Sequence, residues 1–118
     1  MNLAELFRHE TDLLELAAGQ ALFKEGEKGE LMYVLISGKA EITVNSKVME
    51  IAEAGAVLGE MAMIDEGVRS ATIVAMTDCR LLAIGKKRFN FLIQETPNFA
   101  VYIMRVIAQR LRKTDALV

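Results

Sequence analysis

Along the first two-thirds of the chain, apolar positions come in short runs, each cut by glycine or by a polar cluster. Leu13, Leu14 and Leu16 form a first apolar patch that ends at Gly19. Ala21 to Phe23 reads as a short strand, followed by the polar turn Lys24-Glu25-Gly26-Glu27-Lys28-Gly29. Leu31 to Ile36 is β-prone and apolar nearly throughout. Beyond Ser37-Gly38, Ala40, Ile42 and Val44 alternate with polar neighbours, as a half-buried strand should. Asn45-Ser46 reads as a hairpin tip, and Val48, Met49 and Ile51 as the return strand, closed by Glu53-Ala54-Gly55. Val57 and Leu58 follow, and Thr72 to Ala75 and Arg80 to Ile84 predict two further strands.

After Gly85 the period changes. Within Lys86 to Gln94, Phe89, Leu92 and Ile93 stand at helical spacing. Thr96-Pro97 breaks that pattern, and Thr96 or Asn98 caps a last helix over about Phe99 to Asp115. On this helix Ala100, Ile103, Met104, Ile107 and Leu111 make one stripe, with Arg105, Gln109, Arg112 and Lys113 largely off it. At the other end, Asn2 caps a short helix through Leu3 to Phe7. The pattern predicts a mainly β fold with flanking helices. Strand spacing alone leaves sandwich and barrel both open. No repeat or linker divides the chain, so residues 1–118 read as one domain, with strands over about 13–85 and helices over about 86–115.

Composition narrows the function classes. The chain has 118 residues, 53% of them hydrophobic, which is enough for a packed core. No window is apolar for the length of a membrane span, and the charged N-terminus lacks the apolar stretch of a signal peptide. Cys79 is the only cysteine, so no internal disulfide forms, and a cytoplasmic setting is expected. A small strand-start residue is its ordinary role. A net charge of −2 gives no reason to expect nucleic-acid binding. Residues 1–66 carry 13 acids against 5 bases, and residues 86–118 carry 7 bases against 2 acids. The second imbalance suits a helix C-terminus, where the dipole favours cations.

The run from Gly59 to Val74 carries the chemistry. Gly59-Glu60-Met61-Ala62-Met63-Ile64 reads as a tight turn and one short helical turn, broken by Asp65-Glu66-Gly67. Arg69, Ser70, Ala71 and Thr72 then lead into a strand. A helical start leaves backbone N–H groups without partners, and these suit a phosphate. Gly59 lets backbone approach closely. Arg69 brings a permanent charge with a planar fork of donors, and Ser70 a hydroxyl. Glu60 repels phosphate but accepts from sugar hydroxyls. Taken singly, Arg69 and Glu60 would read as a surface salt bridge of little worth.

This run resembles the phosphate-binding cassette of the cyclic nucleotide-binding domain family, roughly Phe-Gly-Glu-Leu-Ala-Leu, a variable stretch, then Pro-Arg-x-Ala-Thr. Gly59, Glu60, Ala62, Arg69, Ala71 and Thr72 stand as the family has them. Leu58 replaces the usual aromatic, Met61 and Met63 replace Leu, and Val68 replaces Pro. The resemblance extends from about Leu13 to Thr114. It implies a β-roll, a jelly-roll-like barrel with a short N-terminal helix, the cassette turn and two C-terminal helices.

It also implies a ligand, a 3′,5′-cyclic nucleotide. Arg69 would pair with the phosphate, which backbone N–H groups around Met61, Ala62 and Ala71 would share. Glu60 would accept from the ribose 2′-hydroxyl. Ile42 and Met49 would wall the base. Gln109 to Thr114 resembles the part of the family's last helix that reaches the nucleotide, so Arg110 is expected near Glu60 and Thr114 near the base, as a lid. In the family, Thr just after the Arg tends to go with cGMP, so Ser70 favours cAMP. Neither a cofactor nor a metal is implied. The implied output is movement of the C-terminal helices toward an effector protein or domain. Bacterial regulators of this family pair two subunits through the last helix, which makes a homodimer a second expectation. Those regulators continue into a helix-turn-helix for which no residues remain here, so a stand-alone sensor or a fragment is expected.

Two other classes compete. Some domains of this fold lose the ligand and serve as dimerisation or docking modules, and Val68 in place of Pro favours that reading. A cupin-like enzyme would need several His and carboxylate ligands for a metal. Only His9 and Cys79 stand available, with no nucleophile–base pair, so no catalysis is expected.

Overall fold

Two antiparallel four-stranded sheets face each other in the computed structural model, which describes residues 1–65 and 67–116. The described strands are β1 (Leu14–Leu16), β2 (Ala21–Phe23), β3 (Met32–Ser37), β4 (Ala40–Val44), β5 (Lys47–Ala52), β6 (Val57–Leu58), β7 (Thr72–Ala75) and β8 (Cys79–Ile84). One sheet has the order β1-β8-β3-β6 and the other β2-β7-β4-β5. A 3₁₀ turn, Glu60–Met63, follows β6. The helices are α1 (Leu3–Leu6), α2 (Lys86–Glu95) and α3 (Pro97–Ala116). This is the mainly β fold with flanking helices that the sequence pattern predicts, and the roll that the resemblance implies.

The first sheet is buried on both faces, which explains why β3 is apolar nearly throughout. Met32 and Val34 of β3, with Leu82 and Ile84 of β8, pack against Leu3, Phe89, Phe99 and Ile103 of the helices. Leu35 and Leu81 point the other way, into the space between the sheets, where they meet Ile42, Ala52 and Ile73. Period-two alternation thus divides the strand's residues between two cores.

Four local features differ from the sequence pattern or sharpen it. The patch at Leu14–Leu16 is a strand, paired with β8 from Leu14↔Leu81 to Leu16↔Cys79. The last helix begins at Pro97, the position where a missing N–H does no harm. Thr96 precedes it, its carbonyl accepting from Phe99 N–H at 2.8 Å. The single stripe on α3 divides in two. Ile103 faces the core at 1% exposure, whereas Met104 and Leu111 are exposed at 60% and 62%. The hairpin tip holds as expected, with Asn45 and Ser46 both at positive φ, the pairing that suits a tight two-residue turn.

Cys79 is buried, its thiol donating to the carbonyls of Thr77 and Lys39 at 3.2 and 3.3 Å. Burial pushes this thiol's pKa up, which makes it a poor nucleophile.

Candidate functional site

Between the cassette run, the inner face of β4–β5 and the underside of α3 lies a cavity of about 530 Å³. Its volume falls in the range of small-molecule sites, roughly 300–1,000 Å³. Gly59, Glu60, Met61 and Ala62 line one side, and Arg69, Ser70 and Ala71 the floor beside them. Ile42 and Met49 form an apolar wall. Arg110 and Thr114 close it from α3. All these residues, singled out from sequence, therefore border one space.

Arg69 is the most constrained of them. Its backbone is pinned on both sides, N–H to Glu27 carbonyl at 2.7 Å and carbonyl to Gly26 N–H at 2.9 Å. The preceding Val68 makes a β-bridge with Lys28, so main-chain pairing holds the loop where the family pattern has proline. The β2–β3 loop is itself fixed to the cassette, for Glu25 N–H donates to Thr72 Oγ1 at 2.9 Å. The guanidinium then fills a slot. Its Cζ sits 4.0 Å from the centroid of the Phe23 ring. A Cβ at Gly29 would overlap the guanidinium, and one at Gly59 would meet Nη1 at 2.5 Å. Gly59 also has φ +70°, so two demands fall on that glycine.

The guanidinium has no carboxylate partner among the described residues. Nη1 makes one long contact to Gly59 carbonyl, 3.4 Å, and Nε is buried without an acceptor among the described residues. Arg69 is 8% exposed. Burial pushes its pKa down, opposed by Tyr33 and Glu27. An arginine keeps its charge nonetheless. A buried cation facing a cavity, with no carboxylate within hydrogen-bond reach among the described residues, is the electrostatic form of an anion site.

The 3₁₀ turn adds to it. Ala62 N–H donates to Gly59 carbonyl at 3.2 Å. The amides of Glu60 and Met61 precede that first bond of the turn.

Glu60 does not form the surface pair with Arg69. At 5% exposure it is buried, and its Oε2 accepts from Arg110 Nη1 at 2.9 Å. Its Oε1 has no partner among the described residues. Burial pushes the Arg110 guanidinium down in pKa, but Glu60 and Glu50 outweigh this and hold it above its ordinary value. Thr114 Oγ1 donates to Arg110 carbonyl at 2.8 Å and lies 3.3 Å from Met49 Sδ.

Sequence reasoning missed three kinds of residue here. Phe23 and Gly29 support Arg69 but read as an ordinary strand end and turn. Ile107 and Leu111 line the cavity from α3, one turn from Arg110 and Thr114. Glu50 meets Arg110 through a β-bulge that no hydrophobic pattern reveals. Its pairing with β4 shifts register between Ile42↔Glu50 and Thr43↔Val48, leaving Met49 as the extra residue.

No group of three or more His, Cys, Asp or Glu among the described residues could hold a metal ion. No described helix is long and apolar enough to cross a membrane.

Known proteins resemble this chain in sequence and in fold. Residues 13–96 match the family model described as the cyclic nucleotide-binding domain. The Cyclic AMP receptor protein of Thermus thermophilus is 32% identical over 102 residues, 82% of this chain and 47% of that protein. Lysophospholipase NTE1 of Chaetomium globosum is 33% identical over 104 residues, 84% of this chain but 7% of that enzyme. The chain thus spans less than half the length of these curated relatives. Among solved structures, the catabolite activator protein of Thermus thermophilus superposes with a TM-score of 0.75 at 28% identity, covering 94% of this chain and 60% of that one. The cAMP-bound PfPKA-R structure superposes at 0.82 with 22% identity, covering 97% and 43%, a likeness of fold. With the family model matching well over half of its length, the chain belongs to the cyclic nucleotide-binding domain family.

Proposed function

We propose that this domain binds a 3′,5′-cyclic nucleotide in the cavity, favours cAMP over cGMP, and signals occupancy through its C-terminal helices. The observation that carries the reading is Arg69, a buried cation with no carboxylate partner among the described residues, held in a slot of glycine and aromatic carbon. A cyclic phosphate supplies the missing charge, and the leading amides of the 3₁₀ turn share it. The ribose 2′-hydroxyl donates to Glu60 Oε1. The base lies against Ile42 and Met49, near Thr114. Ser70 borders the cavity without the extra methyl of Thr, in keeping with cAMP. Catalysis forms no part of this reading. The output passes to an effector protein or domain in a cytoplasmic setting, with no direct contact to nucleic acid.

A homodimer through α3 fits the outward face of that helix. Val101, Met104 and Leu111 are exposed at spacings of three and seven, which suits a coiled-coil seam.

Titration calorimetry with cAMP and cGMP tests the reading. Binding of cAMP, tighter than cGMP, is the expected result. Tighter cGMP binding would overturn the preference, and binding of neither would overturn the function.

A further inference from the structure

Arg110 is gripped from two sides, and the two grips are unequal. Toward the cassette it gives one hydrogen bond, Nη1 to Glu60 Oε2 at 2.9 Å. Toward the barrel wall it gives two, Nε to Glu50 Oε1 at 3.3 Å and Nη2 to Glu50 Oε2 at 3.2 Å. That is the fork-to-fork pairing of guanidinium and carboxylate, which fixes direction as well as distance. Lys113 Nζ, one turn on, lies 3.4 Å from the same Glu50 Oε1. The Arg110 side chain is 12% exposed and that of Glu50 22%, so water competes weakly with the pair.

The β5 bulge makes this grip available. In an unbroken strand, Met49 and Glu50 would point to opposite faces. With Met49 as the extra residue, Met49 borders the cavity and Glu50 meets the underside of α3. The last turns of α3 gain little from the core, since Leu111 and Arg112 are exposed and the fully buried residues of the helix are Phe99 and Ile103.

We propose that Glu50 is the residue that seats the end of α3, so that Glu60 is free to change partner. Removing Glu60 from Arg110 breaks one hydrogen bond, while Glu50 keeps two and also holds Lys113. Resting on the cyclic nucleotide reading, the inference gives the two carboxylates separate duties. Glu60 turns to the ribose hydroxyl, and Glu50 retains Arg110 and with it the closed helix over the ligand. Glu50 is a positioning residue, because it acts through Arg110 and touches no ligand.

Glu50→Gln and Glu60→Gln, compared by amide hydrogen exchange and cAMP dissociation, test this. In the ligand-free protein, Glu50→Gln should speed exchange of residues 107–114 about tenfold, with β3 and β8 unchanged. Glu60→Gln, which keeps an acceptor for Arg110, should leave that segment within about threefold of the parent. With cAMP the order reverses for affinity. Glu60→Gln weakens binding most, while Glu50→Gln mainly speeds dissociation. An unchanged 107–114 segment in Glu50→Gln would overturn the proposal. So would faster exchange spread evenly over the whole barrel, which is what a merely structural carboxylate gives. If cAMP leaves even the parent unaltered, the nucleotide reading fails, and the ligand-free comparison still decides the seat.

Discussion

The guanidinium of Arg69 lies over the ring of Phe23, its Cζ 4.0 Å from the centroid, with glycines 29 and 59 where larger residues would collide with it. The ring offers a partial counter-charge, but Nε still lacks an acceptor among the described residues. Arg69→Met should therefore leave the ligand-free melting temperature equal or higher. The same change should weaken cAMP binding about 10- to 150-fold, the worth of a charge-assisted contact. Thermal melts with and without cAMP read both effects, because a ligand stabilises by mass action. A non-sensing docking module would show no cAMP shift in either protein.

Gly29→Ala probes the slot itself. The new Cβ overlaps the guanidinium, so Arg69 must leave its place while the barrel stays folded. Binding of cAMP should fall about tenfold or more, as for loss of a hydrogen bond to a charge. Gly85→Ala is the control, since its Cβ would meet only Leu31 at an ordinary 3.6 Å. Calorimetry on both variants distinguishes displacement of Arg69 from a general glycine effect.

The two faces of α3 should respond differently. Ile103→Ala empties a core position and should cost about 2–4 kcal/mol of stability by urea unfolding. Met104→Ala removes an exposed side chain and should cost under about 0.5 kcal/mol in a monomer. If the outward seam pairs two copies, Met104→Glu should shift sedimentation from dimer to monomer while leaving the fold intact.

Acid should loosen the end of α3. Burial pushes the Glu50 carboxyl up in pKa, but hydrogen bonds and attraction from Arg110, with Lys113 adding, bring it below its ordinary 4.5. A carboxyl with a depressed folded-state pKa contributes stability above its unfolded value and loses it as pH falls through the folded value. The stability difference between the parent and Glu50→Gln should thus be full near neutrality and should shrink below pH 4.5. Denaturant melts across that range give the curve.

Ser70→Thr tests ligand choice. Adding the methyl of Thr beside Arg69 narrows the rotamers of a hydroxyl that Ser70 already carries, and should raise the cGMP-to-cAMP affinity ratio about three- to tenfold, the worth of one better-placed hydrogen bond. An unchanged ratio would place selectivity elsewhere in the cavity.

Much of this was readable from residue types. Gly59, Glu60 and Arg69 together suggested an anion beside a sugar, because such a ligand uses an acid and a base side by side. Short apolar runs announced the strands because each one buries a face. What stayed hidden depended on three dimensions. Leu14–Leu16 is too short to show a period, and β8 is what makes it a strand. Met104 and Leu111 look like Ile103 in a hydrophobic pattern, yet a helix wide enough to need two partners exposes one face. Gly29 read as turn punctuation, whereas its role is empty space for a side chain forty residues away. Glu50 read as the polar half of an alternating strand, until a one-residue bulge gave it to α3.

The uneven anchoring of α3 makes that helix a lever. Its fulcrum lies at Phe99 and Ile103, locked in the core at 0% and 1% exposure. Arg110 stands seven residues farther on, about 10 Å along the axis at 1.5 Å per residue. A tilt of roughly 10° about Ile103 moves Arg110 by about 2 Å, enough to break a 2.9 Å hydrogen bond to Glu60. The outward seam rides on the same rigid arm, and at its tip Leu111 borders the cavity. The same tilt would move Leu111 about as far as Arg110 and leave Val101 and Met104, beside the fulcrum, nearly in place, so what it changes is the far end of the seam.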